Sequence, residues 1–178
     1  HLSQAAKWKS GTDRVAYVSK KIKADIEVNI QGDHPLIRYN DIDRVVLELK
    51  RNKSLNMVTL ITQLKKDIDN PNIVKVVIDK DNFALYFSRT SVPYSFSNNR
   101  KYYKHIGIYG YRKKFLMKFS KMNTSFLEKM ERLEQLRALE NGYRIKTIKT
   151  DVDSPNIDTP KDIETAEKVL SGLDYRDF

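Results

Sequence analysis

The chain has 178 residues and no cysteine, and its 33 Lys and Arg residues against 23 Asp and Glu residues give a net charge of +10. Hydrophobic residues make up 40% of the chain, which is enough to bury a core and excludes a disordered protein. The absence of cysteine excludes a disulfide scaffold, a thiol nucleophile and a zinc–thiolate site. No apolar run approaches the roughly 18 residues that are needed to span a membrane.

Helix and strand patterns alternate along the first half of the chain. Val15, Val18 and Ile22 recur at helical spacing, a strand is predicted over 26–30, and a turn follows over 31–35. Apolar residues at positions 42, 45, 46 and 49 predict a helix over 41–51, with Asn40 or Asp41 as its cap. Further strands are predicted over 57–62, 74–78 and 83–88, and the short connection between the last two indicates a hairpin.

The second half continues the same alternation. A polar loop is predicted over 91–104, a strand over 106–111 and a helical patch over 115–119. A capping box at Ser125–Glu128 opens a helix that ends at Asn141–Gly142, and a strand follows over 143–149. Thr159 and Pro160 begin a final helix whose apolar face is formed by Ile163, Ala166, Val169 and Leu170.

This order predicts an α/β domain with a mostly parallel sheet and an inserted β-hairpin. We expect one domain over 1–173, followed by a tail over 174–178 without a strong pattern. Sheets of this kind bind ligands at the carboxyl ends of their strands, and that rule selects the residues to consider.

Two carboxylates are candidates for holding a metal ion. Asp33 follows the strand over 26–30 on a turn that contains glycine, where it suits a hard cation such as Mg²⁺ or simply bonds its own backbone. Asp158 precedes the final helix, where a carboxylate is also stabilised by the helix dipole alone. The two lie 125 positions apart, so only the fold can bring them together.

Three residues on two strands are candidates for binding an organic anion. Arg89 closes the strand over 83–88, where it can take a carboxylate or a phosphate in bidentate geometry or remain a surface arginine. His105 and Tyr109 are separated by an even number of residues on one strand and therefore share a face. The residues alone favour a half-buried histidine beside a core tyrosine.

Two further candidates lie in the helix predicted over 125–141 and in the turn near the start of the chain. Glu134 and Gln135 occupy a helix that is apolar on more than one side, so they need partners, and pairing with Arg132 or Arg137 is one possibility. The stretch Ser10–Arg14 is a polar turn that enters a helix, and it can offer backbone N–H groups to an anion or act as an ordinary cap.

The positive charge is spread along the chain as Lys and Arg doublets with acids nearby, so it does not form a continuous stripe. Trp8 between Lys7 and Lys9 is the nearest approach to a base-stacking aromatic. A non-catalytic basic module that binds nucleic acid or another acidic partner remains an alternative, as does a degenerate dimer partner.

Seven stretches occur in the order that one known family uses: SGTDR from Ser10, VNIQGDHPLI from Val28, PNIVKVV from Pro71, ALYFSR from Ala84, HIGIYGYR from His105, LEQLRALENG from Leu133 and IDTPKD from Ile157. Together they resemble the 3-deoxy-manno-octulosonate cytidylyltransferases, the CMP-Kdo synthetases. The resemblance implies a cytoplasmic, usually homodimeric nucleotidyltransferase that binds neither nucleic acid nor the membrane interior. The implied reaction joins CTP to the octulosonate sugar and gives CMP-sugar and pyrophosphate for lipopolysaccharide synthesis.

The resemblance also implies roles for individual residues. Asp33 and Asp158 match the carboxylates that hold Mg²⁺, and the nucleotide contacts match Ser10, Gly11, Thr12, Arg14 and Gln31. The sugar pocket of the family matches Arg89, His105, Tyr109, Glu134 and Gln135.

Several features depart from the family pattern. Lys7 and Trp8 replace an Asp-His pair, His34 replaces an acid, and the loop over 91–104 lacks an arginine for which Arg100 is a substitute. The chain starts with His1 and nothing in it matches the family's first strand and basic phosphate-gripping loop. We therefore expect that this chain lacks the N-terminal triphosphate-binding segment, and loss of that phosphate clamp can leave this piece alone inactive.

Overall fold

The computed structural model describes residues 10–32, 37–96 and 101–151, together with the helical positions Ile163, Glu164, Glu167 and Ser171. In the three continuous ranges the elements follow in the order α1 (Gly11–Ser19), β1 (Ile26–Ile30), α2 (Tyr39–Arg51), β2 (Met57–Leu64), β3 (Lys75–Ile78), β4 (Ala84–Ser88), β5 (Tyr102–Arg112), α3 (Lys113–Phe119), α4 (Phe126–Glu131), α5 (Leu136–Glu140) and β6 (Ile145–Lys149). None of the helices in these described parts has the length and apolar character needed to cross a bilayer.

Strand β5 lies at the centre of a mixed sheet with the order β4-β3-β5-β2-β6, and β1 also pairs with β5. The α/β class is confirmed, but the sheet is mixed rather than mostly parallel: among the pairs between described strands, only β2–β6 is parallel. Helices or loops cover both faces, so β2 is buried on both sides at every position except Gln63. That pattern is typical of parallel strands, and it carries no information about strand direction here.

Strand β5 contains two extra residues where it passes β2. Thr59 is paired with Tyr109, whereas the next residue, Leu60, is paired with Ile106, so residues 107–108 form a bulge. Because the insertion is an even number of residues, side chains continue to alternate between the two faces of the sheet.

Two hydrophobic clusters cover the two faces of the sheet. One face packs against α1, α3 and α5 through a cluster that includes Met57, Ile61, Phe87, Tyr109, Tyr111, Phe115, Phe119 and Leu136. The other face packs against α2 through Val45, Leu49, Val58, Leu60, Ile106 and Ile108. Side chains of β2 alternate between the two clusters. Met57 and Ile61 lie on the face covered by α1, α3 and α5, which is also the face of the site described below.

Helix α2 lies against β5 at Gly110 without room for a side chain. A Cβ atom at this position would lie 2.4 Å from Cγ1 of Val45 and 2.9 Å from Cδ1 of Leu49. Both residues are fully buried. Glycine at position 110 therefore sets the distance between the helix and the sheet.

The start of α2 differs from the expectation that Asn40 or Asp41 caps it. The cap position is Arg38, without a side-chain cap hydrogen bond. Asp41 is buried in the first turn, where its carboxylate accepts hydrogen bonds from Arg44 at 3.0 Å and from the Thr150 hydroxyl at 2.9 Å. Its side chain thus ties α2 to the chain beyond β6, a contact that local sequence does not encode.

The helix predicted over 125–141 is broken into α4 and α5. Arg132 adopts the left-handed conformation, with φ 54° and ψ 47°, and ends α4. The capping box is confirmed, since the Ser125 N–H donates to the Glu128 carboxylate at 3.1 Å. The same buried carboxylate accepts two hydrogen bonds from the Arg137 guanidinium, which joins α4 to α5 across the break.

The strand expected over 106–111 begins earlier, at Tyr102, so part of the predicted loop over 91–104 is strand. Lys104 pairs with Thr62 on β2 and with Lys75 on β3. The polar residues Lys104 and His105 interrupt the apolar pattern at the start of β5, so the sequence did not indicate a strand there. The predicted start of the final helix, most of its apolar face and the tail over 174–178 lie outside the described residues.

Candidate functional site

The candidate site lies where the edge of β5 changes partner from β3 to β1. The pairing of β1 with β5 ends at Ile30 opposite Ile108, and β3 pairs at Lys104. Between them the His105 N–H donates to the Val74 carbonyl at 2.9 Å. The carboxyl end of β1 therefore opens beside the bulge of β5, and the exposed Gln31 follows directly.

Helix α1 presents its first turn to this region. Ser10 caps the helix, and its hydroxyl accepts a hydrogen bond from the Asp13 N–H at 3.2 Å. Thr12 is buried and donates its hydroxyl hydrogen to Oε2 of Glu134. A Cβ at Gly11 would meet Arg14 at an ordinary 3.7 Å, so the close packing of this turn does not require glycine. Arg14 itself is exposed.

Glu134 and Gln135 lie in the turn between α4 and α5, not in the middle of a helix as the sequence predicts. Oε1 of Glu134 is buried and accepts no hydrogen bond from a described residue, although Nη2 of Arg137 lies 3.5 Å away. Gln135 is buried at the start of α5. The break places Glu134 in a turn, from which its carboxylate contacts Thr12.

A row of aromatic rings follows β5 across the same face of the sheet. The His105 and Tyr109 ring centroids lie 5.2 Å apart, and those of Tyr109 and Tyr111 lie 5.9 Å apart. Phe87 meets His105 edge-on, also at 5.2 Å.

Burial, followed by the neighbouring Tyr111 and Glu134, raises the pKa of Tyr109 well above its ordinary value. Burial likewise raises the pKa of Tyr111. Both phenols are therefore neutral at physiological pH and serve as hydrogen-bonding groups, not as bases.

Arg89 is held in place by backbone groups. Its Nε donates to the Glu131 carbonyl at 2.8 Å and its Nη1 to the Pro71 carbonyl at 2.9 Å, while its own N–H donates to the Glu131 carboxylate at 2.9 Å. Nη2 has no partner among the described residues, so one side of the guanidinium is available to an anion.

Sequence reasoning did not select three residues that organise this region. Glu131 accepts hydrogen bonds from Ser88 at 2.7 Å and from the Arg89 backbone. Lys75 is fully buried and donates to the carbonyls of Asn70, Ile73 and Arg89, and burial lowers the pKa of its ammonium group. A lysine inside a valine-rich strand was a signal that could have been used.

Thr59 is the third such residue. It is fully buried on β2, and its hydroxyl contacts His105 and two carbonyls of the bulge in β5. Its sequence context, a threonine inside an apolar strand, gives no indication of that role.

Two aspartates are the predicted ligands of a magnesium ion. Asp33 and Asp158 lie outside the described residues, and within the described ranges no group of three or more His, Asp or Glu side chains forms a metal site. Magnesium is commonly bound in proteins by one or two carboxylates together with substrate phosphates. Two aspartates and a triphosphate are a donor set of this type, so the chemistry of the predicted ligands fits the ion.

Comparison with known proteins gives a consistent result. The family model described as Cytidylyltransferase matches residues 4–148. The 3-deoxy-manno-octulosonate cytidylyltransferase of Chloroherpeton thalassium is 45% identical over 168 residues, which cover 91% of this chain and 68% of the relative. The enzyme of the same name from Fusobacterium nucleatum subsp. nucleatum is 48% identical, with 87% of this chain and 65% of the relative covered. The chain thus spans about two thirds of the length of these relatives.

A solved structure agrees with these relatives. The CMP:2-keto-3-deoxy-manno-octonic acid synthetase complexed with CTP superposes with a TM-score of 0.87 at 36% sequence identity, covering 92% of this chain and 69% of that one. The matched family model, the relatives and the shared fold lead to one conclusion: the chain belongs to the cytidylyltransferase family of enzymes, among the 3-deoxy-manno-octulosonate cytidylyltransferases.

Proposed function

We propose that the protein transfers CMP from CTP to a 3-deoxy-manno-octulosonate-type sugar and releases pyrophosphate, in the service of lipopolysaccharide synthesis. The sugar hydroxyl would attack the α-phosphate, the bond from that phosphorus to the bridging oxygen would break, and pyrophosphate would leave. Catalysis of this kind relies mainly on positioning the two substrates. The question for the chain is which of its residues hold them.

The contact between Thr12 and Glu134 carries the proposal. Thr12 belongs to the turn assigned to the nucleotide by resemblance, and Glu134 belongs to the residues assigned to the sugar. They are 122 residues apart in sequence, yet the Thr12 hydroxyl donates directly to the Glu134 carboxylate. This contact supports the proposal, because a reaction between the two substrates requires their binding residues to lie side by side.

Two groups, Arg89 and the Glu134 carboxylate, suit an acidic sugar. The free side of the Arg89 guanidinium suits the carboxylate of an octulosonate, since arginine binds carboxylates through parallel N–H groups. Oε1 of Glu134 lacks a hydrogen-bond donor among the described residues and would accept a sugar hydroxyl. A buried acceptor without a donor is costly, so a ligand hydroxyl there contributes affinity.

Magnesium is part of the proposal, with Asp33 and Asp158 as its protein ligands. When bound, the ion would neutralise the negative charge that develops on the triphosphate. Gln31 at the end of β1 would orient the nucleotide, together with Ser10, Gly11 and Arg14 of the α1 turn.

A pyrophosphate-release assay tests this function on the protein expressed from its full reading frame. With CTP, the octulosonate and Mg²⁺ we expect turnover by the wild type. We expect Glu134→Gln to lower kcat/KM for the sugar roughly ten- to hundredfold, because the lost carboxylate is a charge-assisted acceptor. Turnover should also be lost in Asp33→Asn with the fold retained.

Glu140→Gln is the matched control for the Glu134 variant. Glu140 is a nearby acid that accepts a hydrogen bond from the Leu127 N–H at 3.0 Å and takes no part in the Thr12 contact. It should retain wild-type kinetics. No pyrophosphate release by the wild type, or an equal loss in both variants, would contradict the proposed function.

We further propose a cytoplasmic homodimer. Exposed aromatic residues support an interface: Tyr94 and Phe96 pack on one another at 5.0 Å, and 98% of Phe96 is solvent-exposed. Single exposed hydrophobic residues are common, but a pair this exposed is a reason to test association. Sedimentation equilibrium should give twice the monomer mass.

A further inference from the structure

The hydroxyl of Thr59 lies at the bulge of β5, within reach of three groups. It is 2.9 Å from Nε2 of His105, 2.8 Å from the Ile108 carbonyl oxygen and 3.3 Å from the Ile106 carbonyl oxygen. Thr59 and His105 are both buried, so bulk water does not replace these contacts. The extra residues of the bulge release carbonyl groups from the regular ladder, and Thr59 satisfies them.

The number of hydrogens in this cluster determines the direction of each hydrogen bond. A hydroxyl has one hydrogen to donate and two lone pairs that accept, whereas a carbonyl oxygen can only accept. The single hydrogen of Thr59 must point to the carbonyls, of which Ile108 is the closer. The contact with His105 is therefore made by an N–H group on Nε2, which donates to the hydroxyl oxygen.

We infer that Thr59 is a positioning residue that holds His105 in the Nε2–H tautomer and thereby makes Nδ1 the acceptor nitrogen of the neutral ring. The inference rests on the proposed function for its consequence: His105 is assigned to the sugar by resemblance, and a fixed tautomer determines which ring nitrogen donates and which accepts. Thr59 itself acts on the ligand only through the histidine.

Packing around the imidazole supports a ring held in one orientation. Phe87 meets it edge-on with an angle of 84° between the ring planes, and Tyr109 lies against it at 37°. Both neighbours are buried. The neighbouring rings restrict the orientation of the imidazole, and the hydrogen bond with Thr59 determines which of its two nitrogens carries the hydrogen.

Four variants test the inference in the protein expressed from its full reading frame. Thr59→Val keeps the side-chain shape and removes the hydroxyl, and Thr59→Ser restores a hydroxyl. Thr147→Val is the matched control, because Thr147 is also buried and donates to a backbone carbonyl, that of Asn82 at 2.8 Å. Thr147 is paired with Thr59 across the sheet, but its strand β6 lies on the side of β2 away from β5 and His105. His105→Gln assigns the histidine signal by removing it.

The first measurement is the tautomer of His105 in the unliganded protein, read from long-range ¹⁵N–¹H NMR correlations at a pH where the ring is neutral. These 178 residues contribute three histidines, and the His105→Gln spectrum identifies the signal of His105. We expect the Nε2–H pattern in the wild type, in Thr59→Ser and in Thr147→Val, and a shift towards a mixture of tautomers in Thr59→Val. An Nδ1–H wild type, or an unchanged pattern in Thr59→Val, would overturn the inference.

The second measurement separates positioning from stability. We expect Thr59→Val to raise KM for the octulosonate about five- to tenfold, the scale of one net hydrogen bond, with KM for CTP unchanged. Thr59→Ser and Thr147→Val should remain close to the wild type. Equal losses in Thr59→Val and Thr147→Val would overturn the positioning role. An inactive wild type would contradict the proposed function instead, and the NMR result would still decide the tautomer.

Discussion

Thr12 shows how much one buried hydroxyl contributes to the site. It caps no helix and pairs with no charged residue of its own segment, yet its hydroxyl hydrogen reaches a carboxylate oxygen of Glu134. That oxygen would otherwise be a second acceptor without a donor in the same carboxylate, since Oε1 already has none among the described residues. The orientation of Glu134 therefore depends on Thr12.

Thr12→Val should weaken the binding of both substrates. Valine matches threonine in shape but leaves the Glu134 carboxylate without its donor, and such a loss costs about 1–3 kcal/mol. We expect KM for the sugar and KM for CTP to rise together, in contrast to Thr59→Val, which affects the sugar alone. Steady-state kinetics with each substrate varied in turn measures this. A rise confined to one substrate would contradict the coupling through Thr12.

At the residue scale the sequence identified Thr12 and Glu134 separately but not their contact. Both stand in motifs that resemble a known family, so their selection needed no structure. Their meeting depends on the left-handed turn at Arg132, which breaks a helix that leucine spacing and a capping box had predicted to be continuous. Contacts between residues this distant in sequence leave no local pattern to detect.

At the scale of elements, the local hydrophobic period determined most of what could be predicted. Strand β1 has the predicted bounds, and α2 ends at the predicted Arg51, because each has an apolar pattern that repeats at the period of its structure. The bulge in β5 could not be predicted, since an even insertion leaves the alternation of side chains unchanged. The direction of the strands could not be predicted either, because both faces of the sheet are covered.

The connection between β3 and β4 has a pH-sensitive anchor at Asp79. Its carboxylate accepts hydrogen bonds from the Phe83 N–H at 2.8 Å, from the Asp81 N–H at 2.9 Å and from Arg144 at 2.8 Å. The backbone bond to Phe83, followed by those to Asp81 and Arg144, lowers the pKa of Asp79 below its ordinary value. The ionised form is thus favoured in the folded state.

A lowered pKa makes stability depend on pH in a defined direction. The unfolded chain binds the proton more tightly, so the contribution of Asp79 is complete above about pH 4 and is lost as pH falls through the lowered pKa. Asp79→Asn should therefore flatten the decrease in urea midpoint on acidification from about pH 5 to 2.5. Asp81→Asn, which changes a neighbouring acid whose side chain does not hold this turn, is the control. Equal slopes in wild type and Asp79→Asn would contradict this role.

At the scale of the whole molecule, several of the 33 Lys and Arg residues are engaged in local contacts and do not add to a free positive surface. Arg137 pairs with Glu128, Arg144 with Asp79 and Arg44 with Asp41, while Lys75 is buried among carbonyls. These cations are committed to the fold and do not form a continuous surface. The remaining charge provides a positive background that raises the local concentration of small anions such as a nucleotide or an acidic sugar.

This distribution predicts no tight binding of nucleic acid. A protein that follows a phosphate backbone needs a stripe of free cations, and its affinity then falls steeply with salt. We expect no saturable binding of fluorescent duplex or single-stranded DNA at about 50 mM salt, measured by anisotropy with a known DNA-binding protein as positive control. Tight binding that disappears as salt rises would favour the basic-module alternative.

The close contact between α2 and Gly110 makes the position of this helix sensitive to the residue at position 110. A methyl group at position 110 would push on the stiff side chain of Val45 and lift the helix away from β5. Helix α2 also packs against β1, whose last residue precedes Gln31. We therefore expect a shift of the helix to move the proposed nucleotide contact. We therefore expect substitutions along the buried side of α2 to change substrate affinity without contacting a substrate.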